Sequence, residues 1–326
     1  MGKRRIRNLL FCGIKRENIF GFDPQEDRCL EASKKYGIKT FNGFKEAFKK
    51  ANADAYIISS PPDTHWPYFL RAARNKKHIF VEHPTTDRGY KELLGLMDGS
   101  FVVAPSCTLR FHPAVKMIKK IIDKKQIGKT LLFQYHLGQY LPSWHPWEDF
   151  RKVYFSKKKT GACREMFAFE LGWLSYALNL QGVSKVLGLT EKLSNLDMSA
   201  DDVYSAILKF KGGVIGNMTV DLLSSKPFRT LRIIGTGGVL QWEWQDNEIK
   251  VSNEKSKNWK IIKLKKGKSE KNYVTTEDMY EEEIGHFLNA IEKGNAYPFT
   301  PKENQAYLKA LFALEQSAKT QKYASL

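Results

Sequence analysis

Cysteine is scarce in this 326-residue chain, and the four that occur, Cys12, Cys29, Cys107 and Cys163, are scattered. There is no Cys-x-x-Cys pair, and the seven histidines form neither His-x-His nor His-Glu-x-x-His. A zinc framework and a disulfide scaffold are thereby excluded, and no metal is expected. The four thiols suit a reducing compartment. No apolar run approaches the length that crosses a bilayer. The early stretch LLFCGI is too short for a secretory signal and lacks a small-residue cleavage site. MGKRRI also fails the myristoylation pattern, because Ile6 stands where Ser or Thr is required. The expected location is cytoplasmic, with no membrane partner. Acidic residues are few as well: 35 Asp and Glu stand against 53 Lys and Arg, a net charge of +18. Such charge can attract nucleic acid or phosphorylated small molecules. The basic residues are spread along the chain, however, and no helix-turn-helix, zinc-finger or RNA-binding signature accompanies them. A solvated lysine-rich surface is the favoured reading, and nucleic acid the least favoured partner.

What is present suits two ordinary globular domains, with 42% hydrophobic and 13% aromatic residues. Over the first hundred residues, short apolar runs (ENIFGFD, IKTF, ADAYIISS, KHIFVEHP, SFVVAPS) alternate with amphipathic stretches of helical period. That alternation predicts βαβ units and an α/β, Rossmann-like, doubly wound parallel sheet over residues 1–106. After Ser106 the pattern changes. One helix covers HPAVKMIKKIIDKK and another runs from about 161 to 179. Longer alternating strands follow, with hairpin signals at 211–213 and 237–238, and two helices close the chain. Residues 107–326 therefore read as an α+β domain whose large, mainly antiparallel sheet keeps one face free for self-association.

The opening MGKRRIRNLL reads as a helix already under way. In a dinucleotide fold a first strand leads into G-x-G-x-x-G and a helix, with an acid about 20 positions further on. Gly2 fits the third glycine, and Asp23 fits the acid that binds the adenosine ribose. A carboxylate there repels a 2′-phosphate, which makes NAD the expected cofactor and NADP the less favoured one. The first strand and the first two glycines are missing from the chain. GKRRIRNLL, SSPPDTH, KHIFVEHP, TLRFHPAVKMIKKIID, QIGK and MYEEEIGHFLNAIEKG, in this order and spacing, resemble the glucose–fructose oxidoreductase / inositol dehydrogenase (Gfo/Idh/MocA) family over nearly the whole chain. The resemblance implies that Met1 corresponds to an internal residue, with a start codon assigned on the order of ten residues too late; a truncated chain is the alternative.

The resemblance also assigns candidate sites. The segment Ser59-Ser60-Pro61-Pro62-Asp63-Thr64-His65 either lines the nicotinamide side of the cleft, through Ser60, Pro61, Pro62 and His65, or simply makes a tight turn. Glu82-His83-Pro84 stands where the family has Glu-Lys-Pro, with a lysine that faces substrate and nicotinamide in a cis or strained turn. His83 either keeps the proton-transfer role, which its ordinary pKa suits, or marks its loss. In the helix beginning at 161, Glu165 matches a family acid, but Phe169 replaces the histidine that often follows four residues later on the same face. Arg164, Glu165, Phe169, Glu170 and Trp173 instead resemble an R-E…F-E-x-x-W variant, in which Arg164, Glu165 and Glu170 bind sugar hydroxyls or make ordinary helix contacts. Trp144, His145 and Trp147 lie in an aromatic-rich segment suited to stacking on a sugar, His145 being a second candidate for proton transfer. Arg110 is a weaker substrate candidate, and His112, just before Pro113, also fits a helix start. Two functions follow. One is an NAD-dependent oxidoreductase acting on a sugar, cyclitol or nucleotide-sugar, in an enzyme that self-associates. The other is a catalytically idle relative serving as a binding or regulatory protein.

Overall fold

The computed structural model of the chain describes residues 1–144, 146, 148–254, 256–269 and 276–326, with Lys257 described in its backbone only. The N-terminal part runs α1 (Gly2–Phe11), β1 (Phe20–Phe22), α2 (Glu26–Tyr36), β2 (Lys39–Phe41), α3 (Phe44–Ala51), β3 (Ala55–Ile58), α4 (His65–Arg74), β4 (His78–Val81), α5 (Tyr90–Leu96) and β5 (Val103–Pro105). All strand pairs here are parallel, as expected from the alternation of short apolar runs with helices. They fall into two sheets, β1–β2 and β3–β4–β5. In a doubly wound sheet of order 3-2-1-4-5-6 the first strand lies between the second and the fourth. Here β1 and β2 take the second and third places and β3, β4 and β5 the last three. Among the described residues no strand joins β1 to β3. The two strands that border this position are only partly buried, whereas β4 and β5 are almost wholly buried.

The C-terminal part continues with α6 (Pro113–Asp123), β6 (Thr130–Tyr140), α7 (Leu141–Trp144), α8 (Ala162–Ala177), β7 (Val183–Glu191), β8 (Val203–Phe210), β9 (Ile215–Asp221), β10 (Leu223–Gly235), β11 (Gly238–Glu243), β12 (Glu248–Asn253), β13 (Ser256–Lys263), α9 (Asp278–Lys293), α10 (Pro301–Thr320) and β14 (Ala324–Ser325). Its strands form one sheet of order β13-β12-β11-β10-β6-β9-β8-β7-β14, antiparallel throughout except for β6 beside β9. Two features were not legible from periodicity. β10 starts at Leu223, six residues before the apolar alternation that predicts it, because a bulge between Leu223 and Phe228 keeps it paired with β6. Gly138 accommodates that bulge, since a Cβ there would sit 2.3 Å from the Phe228 ring. The short β14 adds to the sheet edge through Ala324 and Ser325.

Strict alternation along β8 and β9 sends Tyr204, Ala206, Leu208 and Met218 inward, where α8 and α10 cover them. The opposite face is open, and carries Leu189, Ile207 and Ile215 among polar side chains. Helix ends are set by local chemistry. Thr300 and Glu303 form a reciprocal capping box on α10, and the His112 ring caps α6 ahead of Pro113. One element crosses the sequence division at Ser106. α9 returns to the N-terminal part, where Phe287 packs on Phe80 with ring centroids 5.6 Å apart and Ile284 joins them in a sealed cluster.

Candidate active site

The carboxyl ends of β3, β4 and β5 carry Ser59, Glu82 and Ser106, and these meet α1 from below. The Arg5 guanidinium is buried and donates to Glu82 Oε1 at 2.6 Å, to Glu82 Oε2 at 3.2 Å and to Glu283 Oε2 at 2.8 Å. Glu283 also accepts from the Cys107 amide at 2.7 Å and the Thr108 hydroxyl at 2.8 Å. Burial works against a charged Glu82, yet the adjoining Arg5 cation holds its carboxyl below the ordinary value. Glu82 therefore anchors the strand end, with Ser59 donating at 3.5 Å. Ser60 accepts from the Thr64 hydroxyl, and the His65 ring nitrogen Nε2 meets the Ser60 carbonyl at 2.8 Å. The diproline turn is thus pinned from both sides, with Pro61 outward and Pro62 buried. Asp23 follows β1. Its Oδ1 accepts the Gln25 amide at 2.9 Å, while Oδ2 has only a distant contact with Arg28 at 3.8 Å. A Cβ on Gly2 would meet open space, so the close helix–strand approach expected of a third glycine is not made among the described residues.

His83 follows β4 and is buried, with Nε2 lacking a partner among the described residues. Burial pushes its pKa down to about 3, so the ring is neutral at physiological pH. The His83–Pro84 bond is trans, like every described peptide bond. Phe169 packs edge-on to His83 with centroids 5.7 Å apart. One turn earlier on α8, Glu165 is half-buried, with Oε2 sealed and unpartnered among the described residues. Burial pushes its carboxyl up to about 8. Trp144 stacks on Phe155 at 4.6 Å, which brings the aromatic segment to the same side. His145 and Trp147 lie outside the described residues.

Three expected substrate contacts are placed elsewhere. The Glu170 carboxylate is fully enclosed and accepts from Tyr135 at 2.6 Å, Arg229 at 3.0 Å and the Trp173 indole. No oxygen is left for a sugar hydroxyl, because an uncompensated buried charge would be too costly to leave in this core. Arg110 is buried between Phe299 and Tyr176, donating to the Pro298 carbonyl at 2.6 Å. Arg164 pairs with Glu315 and donates to the carbonyl of Thr85. It clamps the turn that carries His83 rather than reaching into the cleft. His112 also stands apart: it caps α6 and stacks on Trp244.

Residues 8–98 match the model of the Gfo/Idh/MocA oxidoreductase family's NAD-binding Rossmann fold, and residues 115–241 match the family's C-terminal domain. The chain belongs to the Gfo/Idh/MocA family. Among curated relatives it is similar to scyllo-inositol 2-dehydrogenase (NAD(+)) of Bacillus subtilis, 28% identical over 34% of this chain and 34% of that relative's length. It is also similar to myo-inositol 2-dehydrogenase of Thermotoga maritima, 28% identical over 60% of this chain and 58% of the relative. Trans-1,2-dihydrobenzene-1,2-diol dehydrogenase of Mus musculus is 22% identical over 70% and 68%. Among solved structures, levoglucosan dehydrogenase in complex with NADH superimposes with a TM-score of 0.85 at 17% identity, covering 100% of this chain and 96% of that one. An oxidoreductase domain protein from Kribbella flavida gives 0.87 at 15% identity, with the same coverage. At these identities the structural likeness is one of fold.

Arg5 is not legible in the sequence. A helical arginine in the basic run Lys3-Arg4-Arg5 reads as a surface group until α9, distant in sequence, brings Glu283 to it.

Proposed function

We propose that the chain is an NAD-dependent oxidoreductase that moves a hydride between nicotinamide and a hydroxyl or ketone carbon of a sugar, cyclitol or nucleotide-sugar. The observation that carries this reading is buried His83 after β4, edge-on to Phe169 on α8, with Glu165 one turn earlier on the same helix. The carboxyl end of an open α/β sheet is where ligands bind, and here His83 Nε2 and Glu165 Oε2 are buried without partners among the described residues. The described residues suit the two ends of the coenzyme. Asp23 Oδ2 would accept the adenosine ribose hydroxyls and repel a 2′-phosphate, and the turn Ser60-Pro61-Pro62 with His65 behind it would border the nicotinamide. When bound, the coenzyme supplies a hydride acceptor or donor. The chain's own residues do the rest: Trp144 stacks against an apolar sugar face, Glu165 meets a hydroxyl, and the enclosed floor at His83 excludes water.

A fluorescence titration with NADH and NADPH tests the coenzyme half, and Asp23→Ala should weaken NADH at least tenfold while narrowing its preference over NADPH. Turnover on a panel of sugars, cyclitols and sugar nucleotides tests the other half. NADH binding with no turnover on any of them would replace this reading with that of a non-catalytic binding protein. We further propose that two copies pair through the open face of the large sheet, around Leu189, Ile207 and Ile215. Ile207→Lys should then yield monomers by light scattering, and unchanged mass would reject that face. Among the described residues no helix is long and apolar enough to cross a membrane, and a cytoplasmic location fits the four unpaired thiols.

A further inference from the structure

One guanidinium ties the two parts of the molecule together. Arg164 precedes Glu165 on α8, and its Nε and Nη2 donate to the two carboxylate oxygens of Glu315 on α10 at 2.6 and 3.3 Å. The Tyr204 hydroxyl on β8 donates to Glu315 Oε1 at 3.1 Å, which fixes the carboxylate from a third element. The remaining nitrogen of the fork, Nη1, donates to two carbonyls. One is that of Lys159, at 3.0 Å, in the segment before α8; the other is that of Thr85, in the turn after β4. Thr85 stands two residues beyond His83. That turn has little of its own to hold it: Pro84 carries no amide proton, and the buried Thr85 hydroxyl has no partner among the described residues. The contact of His83 itself with α8 is the edge-on packing against Phe169, which lacks the directionality of a hydrogen bond.

We propose that Arg164 is a positioning residue, itself aimed by Glu315 and Tyr204, that holds the His83 turn in its working place relative to Glu165. The inference rests on the oxidoreductase reading above, in which the N-terminal part holds the coenzyme and the C-terminal part the substrate. Hydride transfer between them needs the two parts in one fixed relation, and a misplacement of about 1 Å can cost on the order of 100-fold in rate. Arg164 suits that task by its shape. A planar guanidinium presents its donors in a rigid fork, so a carboxylate that grips one edge also aims the N–H groups on the other. A lysine would keep the charge, but its flexible stem and compact ammonium could not be aimed in this way. Because Glu165 is the next residue in the chain, one turn of α8 carries both the clamp and the carboxylate. Arg164 acts through the turn and needs no contact with substrate or coenzyme.

The test sets Arg164→Lys beside Glu315→Gln, each assayed on whichever substrate the wild-type chain turns over. We expect each change to lower kcat by about ten- to 100-fold, with KM moving less than about threefold and NADH binding less than about twofold. The double variant should be no slower than Arg164→Lys alone, because the two residues act as one device. A second readout does not depend on turnover: amide hydrogen exchange over residues 83–89 should quicken by about tenfold in Arg164→Lys, while that of β4 stays as it was. If Arg164→Lys does not fold, Glu315→Gln carries both readouts. An ion pair that merely stabilised the fold would lower the unfolding midpoint and leave the kcat of the folded molecules alone. A kcat within about twofold of wild type in both variants, or unaltered exchange across the turn, therefore overturns this proposal by itself. A wild-type chain that turns nothing over overturns the oxidoreductase reading and the catalytic half of this inference, and the exchange measurement still decides the clamp.

Discussion

The Arg5 guanidinium lies 2.6 Å from the Glu82 carboxylate and 2.8 Å from that of Glu283, so one cation in α1 joins the end of β4 to α9. Removing one partner of a buried ionic cluster is far more damaging than replacing the whole, because the remaining charge has no water to return to. Arg5→Met leaves two carboxylates facing each other. It should cost on the order of 3–5 kcal/mol, read from the urea midpoint of unfolding at pH 7. The triple change Arg5→Met, Glu82→Gln, Glu283→Gln should recover part of that loss.

Glu170 offers a second stability measurement that separates two roles. Its enclosure by Tyr135, Trp173 and Arg229 predicts that Glu170→Gln leaves Arg229 buried without a counter-charge. The expected result is a loss on the order of 3–5 kcal/mol in thermal unfolding, with KM for substrate unchanged in the folded fraction. A selective rise in KM with stability intact would return Glu170 to the substrate site.

The pH dependence of turnover follows from Glu165. The groups that face it are Tyr154 from the same side of the cleft, Glu82 from the end of β4 and the Met1 α-amino group from α1. With Glu165 as the proposed acceptor of the hydroxyl proton, the rate of oxidation should climb as pH rises through about 8. Reduction needs the proton in place, so its rate should fall over the same interval. Opposite slopes in the two directions, followed as NADH absorbance, would establish the assignment; parallel slopes would contradict it.

His83 makes a prediction about acid stability. Its folded-state pKa of about 3 lies below its ordinary value of 6.5. Between those values the unfolded chain takes up a proton that the folded chain refuses. The contribution is complete above pH 6.5 and is lost progressively as pH falls toward 3. At pH 5 the loss from this one group is roughly 2 kcal/mol. His83→Gln should flatten the stability curve between pH 7 and 5 by about that amount, measured by urea unfolding at each pH.

Fold and site were legible to different degrees, for physical reasons. The short strands His78–Val81 and Val103–Pro105 are almost wholly buried, which writes continuous apolar runs into the sequence. β8 and β9 are buried on one face, which writes alternation. Side-chain partners were not readable, since they come from long-range packing. Arg164 and Glu170 look like site residues in a helix motif, yet their partners Glu315 and Arg229 arrive from α10 and β10. His83 and Glu165 were recognisable as types, but only the enclosed cleft sets one far below and the other far above its ordinary pKa.

The return of α9 to the N-terminal part sets a timetable for the chain as it is made. Arg5 and Glu283 stand 278 positions apart, and Phe80 waits for Phe287 in the same way. At about 5–20 residues per second, the ribosome needs roughly ten to forty seconds after finishing β5 to deliver α9. Throughout that interval the growing polypeptide carries an uncovered apolar sheet face and an arginine with only half its counter-charge. The third of the molecule synthesised first is thus among the last to become whole.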